Sequence, residues 1–355
     1  SNDYIVPDQV DFNIKKLKEI SDKRKLQDIF YNANIKILEG EDSKDVNNWF
    51  NAETDKIKRS SGAIETTANE ADDEMMEILE GSKAKPISTG FALFDESTGG
   101  LDYGCMIVIA AIQGAGKTTL TLNMLDHICR EEKKTVLYVS LEMNFGSLHT
   151  KLTAMMTGIP YFKLRYRKEE LTDDDWTNIT NARATLHGLN LIRIGKGGVS
   201  VDDIRSKLKE KKADIVIIDY LQKLDYDQKT NNDYEKLTRI SQELKGLAND
   251  FNLPVVLVAS LNREYANRPD HTPRISDIRG SGSIEYDADL VVLLHRNSAL
   301  GKPFDLAKDK DEFIFRHQAQ LIIAKNRYGE SNKVINLYFD GTRSLIKEWD
   351  SYQPE

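Results

Sequence analysis

Cysteine is nearly missing from this chain: there are two in 355 residues, Cys105 and Cys129. That excludes a disulfide scaffold and any cysteine-rich zinc site, and both thiols read as small buried hydrophobes of a reducing compartment. Long apolar runs are lacking too. The longest, Cys105 to Ile112, falls far short of the roughly 20 residues a membrane-spanning helix needs. The polar, acidic start does not match a signal peptide, so the expectation is a cytoplasmic protein with no membrane partner. Nor is there a basic excess, since 49 Lys and Arg face 57 Asp and Glu for a net charge of −8. The surface as a whole will not coat nucleic acid, and any DNA binding must come from a local groove or pore.

What is present is enough chain for one large domain and a smaller piece, with the 40% hydrophobic and 30% charged content of a globular protein. Residues 1–59 read as an α-helical hairpin. Val10, Ile14, Leu17, Leu26, Phe30, Ala33 and Ile37 recur at helical spacing before Gly40, and Val46, Trp49, Phe50 and Ile57 form a second, shorter pattern. Residues 60–85 read as an acidic linker, with seven carboxylates and no base between Ser60 and Ser82. Within it, Met75, Met76, Ile78 and Leu79 form a short helix suited either to packing at home or to docking on a neighbour. Residues 86–355 alternate β and α patterns. Strands are expected at Cys105–Ala110, Val136–Ser140, Leu189–Ile194, Ile215–Ile218, Val255–Ala259, Leu290–Leu294, Leu321–Ala324 and Val334–Phe339. Helical patterns between most of the first five imply an α/β fold with a mostly parallel central sheet, finishing antiparallel.

The stretch around which this domain is organised is Ala110-Ala111-Ile112-Gln113-Gly114-Ala115-Gly116-Lys117-Thr118-Thr119. It follows a strand and opens a helix, the context of a P-loop that cradles the phosphates of ATP. Ala111 stands where the G-x-x-x-x-G-K-[ST] pattern has glycine, a mild relaxation. Gly114, Ala115 and Gly116 turn backbone N–H groups toward phosphate oxygens, Lys117 reaches the β- and γ-phosphates, and Thr118, followed by Thr119, is placed to hold Mg²⁺. Ligands of parallel sheets sit at the carboxyl ends of strands, so polar residues there are informative. Glu142, after Val136–Ser140, is the candidate base that orients the attacking water. Asp219, closing the run Ile215–Ile218, is the candidate acid that holds Mg²⁺ through water opposite Thr118. Ser260 ends the next strand and is the candidate phosphate sensor. Arg279, Gly280, Ser281 and Gly282 form a loop suited to a phosphodiester backbone, or else a plain Gly-Ser turn. Lys325 and Arg327 share one face of a strand that enters a turn, as a solvated pair or as cations that reach ATP across a subunit boundary.

Together these motifs resemble the DnaB-type replicative DNA helicases, whose motor is a RecA-like P-loop ATPase. The stretches that carry the likeness are Ser88-Thr89-Gly90-Phe91 with Phe94-Asp95, the P-loop, Ser140-Leu141-Glu142-Met143, Ile218-Asp219-Tyr220-Leu221-Gln222, Leu261-Asn262-Arg263, Gly280 to Asp289, and Ile322-Ile323-Ala324-Lys325-Asn326-Arg327. The resemblance implies an ATP- and Mg²⁺-dependent homohexameric ring that moves 5′ to 3′ on single-stranded DNA and opens a forked duplex, with a primase and a helicase loader as further partners. It implies Lys117 and Thr118 at the nucleotide and Mg²⁺, Glu142 as catalytic carboxylate and Asp219 as the Walker B acid. It also implies Lys325 and Arg327 as a trans-acting pair, and Arg279, Gly280 and Gly282 in a central DNA loop. Two departures stand out: Ser260 where that family usually has Gln, and an amino-terminal region that matches only the last helices of the family's amino-terminal domain. The alternatives are a RecA- or RadA-like recombination ATPase and an inactive DNA-binding ring or scaffold.

Overall fold

The computed structural model describes residues 7–43, 45–46, 49–50, 53–54, 68–81, 84–195, 198–226, 232–268, 271–301 and 311–349. The chain divides into two compact units, residues 1–84 and 85–355. In the first, helix α1 (Pro7–Leu38) runs without interruption until Gly40, whose positive φ turns the chain and whose N–H bonds back to the Ile37 carbonyl. Helical residues recur between 43 and 54, and the Phe50 ring lies 5.1 Å from that of Phe30. Ile57 and Glu65 lie outside the described residues. Helix α2 (Ala68–Leu79) carries Met75, Met76, Ile78 and Leu79, all exposed.

The second unit is built on one sheet: β1 (Met106–Ala111), β2 (Val136–Ser140), β3 (Leu191–Gly195), β4 (Ile215–Asp219), β5 (Val255–Ser260), β6 (Leu290–His295), β7 (Gln318–Asn326), β8 (Lys333–Asp340) and β9 (Leu345–Glu348). Among the described residues the spatial order is β3-β2-β4-β5-β1-β6-β7-β8-β9. The first six pair parallel and the last three antiparallel. Every residue of β1, β2, β4 and β6 is buried, as strands covered on both faces must be. The covering helices are α3 (Ala92–Thr98), α4 (Lys117–Arg130), α5 (Phe145–Thr157), α6 (Tyr161–Tyr166), α7 (Asp173–His187), α8 (Val201–Glu210), α9 (Asp233–Phe251), α10 (Ser281–Asp287) and α11 (Glu312–His317). Their starts are fixed locally. Thr172 and Ser200 close capping boxes with Asp175 and Asp203, while Asn144 accepts from the Ser147 N–H.

Eight of the nine strands are those expected from apolar runs, β2 with the expected ends and the other seven shifted at one or both ends. Strand β7 begins at Gln318 rather than Leu321 because pairing with β6 and β8 carries through its half-buried polar residues. Strand β9 was not foreseen: Leu345-Ile346-Lys347-Glu348 is too short and mixed to read as a strand, and only its ladder to β8 makes it one. The register levels the carboxyl ends of β1 and β5 through Ala111↔Ser260, and of β2 and β4 through Ser140↔Asp219. Four site-bearing segments therefore meet at one edge.

Candidate active site

Strand β1 delivers the chain to a loop in which Gly114 (φ +83°) and Gly116 (φ +106°) adopt backbone conformations that side chains resist. A Cβ on Gly116 would come 2.5 Å from the ring of Phe339 at the end of β8, so glycine is required there by space as well as by dihedral. Lys117 opens α4, and its Nζ folds back to donate to the carbonyls of Ala111 (2.9 Å) and Ile112 (3.0 Å). Burial lowers its pKa, opposed by the negative charges of Asp219 and Glu142. Thr119 is buried in the first turn, with its carbonyl accepting from Asn123 Nδ2 at 2.7 Å.

Thr118 Oγ1 donates to Asp219 Oδ2 at 2.6 Å, closing the P-loop helix onto β4. The buried Tyr138 hydroxyl lies 3.3 Å from the same oxygen and 3.1 Å from Thr121 Oγ1. Burial, helped by the Glu142 charge, raises the Asp219 pKa against the Thr118 hydrogen bond, the Lys117 charge and the Tyr138 hydrogen bond. Its other oxygen, Oδ1, is buried without a hydrogen-bond partner among the described residues. A hydroxyl, a buried carboxylate and one unmatched carboxylate oxygen are a hard-oxygen set that fits Mg²⁺ bound through water. Glu142 is exposed two residues beyond β2. The neighbouring Leu141 N–H donates to the Asp219 carbonyl at 2.9 Å, which ties the Glu142 loop to β4.

Ser260 is level with the start of the P-loop. Its N–H donates to Gln222 Oε1 at 3.3 Å and its carbonyl accepts from the Arg279 N–H at 3.1 Å. The loop of Arg279 is thus wired to the nucleotide edge by backbone. Gly280 (φ +79°) and Gly282 lie against α9, where added Cβ atoms would approach Leu237 to 2.6 Å and the Tyr234 hydroxyl to 2.8 Å. These glycines serve close packing, and Ser281 begins α10 directly after Gly280.

Lys325 and Arg327 sit at the other end of the sheet. The register Leu290↔Asn326 and Ile107↔Leu290 places them level with the amino end of β1, about 13 Å or more from this chain's own P-loop at 3.3 Å per residue. Within the chain, Lys325 Nζ donates to the Glu285 and Ala288 carbonyls, and Arg327 pairs with Asp289 at 2.7 Å.

Sequence reasoning gave no role to three neighbours of the site, Arg296, Phe339 and Tyr138. The Arg296 guanidinium stacks on Phe339 with 3.5 Å to the ring centre and reaches the Gly114 carbonyl at 3.3 Å. Burial pushes its pKa down to about 10. Tyr138 completes the group, while Gln222, inside a stretch already singled out, gains its partner Ser260 only from the fold. An isolated Arg after a strand, and a Phe and a Tyr inside strands, carry no pattern by themselves; only the sheet order brings them here.

A RecA-like α/β sheet with a P-loop at its carboxyl edge, a Thr–Asp pair across it and a carboxylate beside them defines a P-loop nucleoside-triphosphatase domain. The comparisons narrow this further. The chain belongs to the family described as DnaB-like helicase C terminal domain, whose model matches residues 86–348. It is 33% identical over 279 residues to the Replicative DNA helicase DnaB of Leifsonia xyli subsp. xyli (strain CTCB07), covering 76% of this chain and 58% of that protein. To the protein of the same name from Helicobacter pylori (strain J99) it is 30% identical over 305 residues, covering 81% and 62%. The chain thus spans about three fifths of the length of these curated relatives. Among solved structures, the ATPase domain of G40P superposes with a TM-score of 0.71 at 27% identity, covering 80% of this chain and 99% of that one. A DnaB-like replicative helicase, in a structure concerned with its interactions with primase, shares the fold with a TM-score of 0.76 at 24% identity, covering 94% and 76%.

Proposed function

We propose that this chain is the motor of an ATP-dependent DNA helicase that assembles as a homohexameric ring, moves 5′ to 3′ on single-stranded DNA and opens a forked duplex. The observation that carries the reading is the backbone hydrogen bond from Arg279 to Ser260, because it joins the candidate DNA loop to the strand end beside the P-loop. Family membership and the relatives named replicative DNA helicase support the rest. A primase and a loader are further partners of this reading, and it places the ring in the cytoplasm. Among the described residues no helix is long and apolar enough to cross a membrane.

In this reading the N–H groups of Gly114 to Thr119 bind the phosphates, and Lys117 exchanges the carbonyls of Ala111 and Ile112 for phosphate oxygens. Thr118 and Asp219 hold Mg²⁺ through water, which supplies neutralisation of phosphate charge. Glu142 orients and deprotonates the attacking water. Lys325 and Arg327 stand too far from their own P-loop to act there, so the phosphate they serve is a neighbouring subunit's. Loss of the phosphate alters the contacts at Ser260, and the Arg279 backbone follows.

The test is steady-state ATP hydrolysis at low salt with and without single-stranded DNA, beside Glu142→Gln. Stimulation that vanishes in the variant, followed by unwinding of forked duplex, supports the motor. Absence of hydrolysis in both conditions makes the chain an inactive ring or scaffold. Filaments of mixed length in micrographs place it with the recombination ATPases.

A further inference from the structure

Lys325 and Arg327 cap one end of α10. Lys325 Nζ donates to the Glu285 carbonyl at 2.5 Å and the Ala288 carbonyl at 2.7 Å, and Arg327 Nη2 donates to the Tyr286 carbonyl at 3.2 Å. All three carbonyls belong to the last turn of that helix or lie just beyond it, where cations are favoured. The opposite end of α10 is its first residues, Ser281 and Gly282, entered from the turn at Arg279 and Gly280. At 1.5 Å per residue the helix spans only about 10 Å, and it is pinned along α9, with Ser241 Oγ donating to Asp287 Oδ2 at 2.6 Å and Leu237 against Gly280. A displacement at one end therefore reaches the other as a rigid shift.

The fixed point beside it is Asp289, 1% exposed. Its Oδ1 accepts from Arg327 Nη1 at 2.7 Å, while Oδ2 accepts from Lys245 Nζ at 2.6 Å and from the Met106 N–H at 2.8 Å. Arg327 is 44% exposed and can leave. When it does, Lys245 and the Met106 N–H keep Asp289 paired, so departure strands no bare buried charge. Bonds that hold Arg327 and Lys325 to one short helical turn weaken together when that turn moves.

We propose that Asp289 is a positioning residue that keeps Arg327 withdrawn against α10, and that DNA at the Arg279–Gly282 segment, where the chain enters α10, shifts the helix and frees the pair for the neighbouring subunit's nucleotide. This rests on the reading of Lys325 and Arg327 as trans-acting cations. It goes beyond that reading by making the same helix set the DNA dependence of hydrolysis at the next site.

The experiment measures ATP hydrolysis by the full chain with and without oligodeoxythymidine for Asp289→Asn, Lys245→Gln and Arg327→Ala, with thermal unfolding as the check on folding. Asp289→Asn loosens the hold, so the DNA-free rate rises about fivefold, the DNA-saturated rate stays, and their ratio falls toward one. Lys245→Gln leaves the whole Asp289 charge to Arg327, so the DNA-free rate drops and the ratio grows. These opposite signs keep the test decisive even where one variant folds poorly. Two rates that fall together at constant ratio, or that do not change, overturn the proposal while an inactive Arg327→Ala leaves the trans-acting reading intact. A fully active Arg327→Ala overturns both.

Discussion

If Asp219 is a buried carboxylate kept for Mg²⁺, as proposed, it costs the apo protein stability, and replacing it with Asn exposes that trade. Thr118 satisfies one oxygen, Tyr138 approaches the same one, and the other is unmatched. Burial raises the folded pKa above the ordinary carboxylate value. With the folded pKa raised, the group's favourable contribution is complete below the ordinary carboxylate range and is lost as pH rises through the folded value. Above that folded value the wild type carries a buried charge with one oxygen unmatched, offset in part by the Lys117 ammonium, and Asp219→Asn removes it with almost no change of shape. Relief of such a charge is on the order of 1–4 kcal/mol, and at roughly 2–4 °C per kcal/mol for a domain of this size the variant should melt at least about 2 °C higher without nucleotide and Mg²⁺. The gap should close as pH falls. With ATP and Mg²⁺ the gap should narrow or reverse, since the wild type gains more binding free energy than a variant that has lost its Mg²⁺ carboxylate, while hydrolysis by the variant falls by about 100-fold or more. The assay is thermal unfolding from acid to alkaline pH, apo and with Mg-nucleotide. A melting temperature for the apo variant that stays below the wild type's from acid to alkaline pH would refute the reasoning, because it would show the charge to be fully compensated.

Three further outcomes are expected. Gly116→Ala forces a φ of +106° on a residue with a Cβ and drives that atom into Phe339; ATP affinity measured with a fluorescent analogue should fall by about tenfold or more, from roughly 1–2 kcal/mol of backbone strain plus the clash. Arg296→Ala removes the stack on Phe339 and the bond to the Gly114 carbonyl, so KM for ATP should rise by about threefold to tenfold, on the scale of a cation–π contact of about 0.5–2 kcal/mol, with kcat changed less. Arg279→Ala should weaken single-stranded DNA binding alike for all sequences and reduce the slope of log Kd against log salt by about 0.7, the loss of one phosphate contact, as read by fluorescence anisotropy across a salt series.

The parallel sheet and the P-loop were legible in the sequence because they follow from local rules. Unbroken apolar runs such as Ile215–Ile218 are what a doubly covered strand must be, and Gly-Lys-Thr after one of them has a backbone reason at each glycine. The placement of Asp219 and Glu142 at the carboxyl edge of the sheet was legible by the same logic, since both follow apolar strand runs. Local pattern did not decide which strands lie side by side. Strand β9 exists only through its pairing to β8, and the Phe339 ring reaches Gly116 only because β8, itself reached through β7 from β6, ends at the same edge as β1. The tertiary structure likewise assigned the loop glycines 280 and 282 to close packing on α9, placed Lys325 and Arg327 at the edge opposite the P-loop, and set Asp289 between two cations. Backbone hydrogen bonding and burial periodicity act over a few residues and are written in the sequence. Strand order joins residues up to 255 positions apart, as where Glu348 accepts from the Leu93 N–H, and is decided only when the whole sheet closes its core.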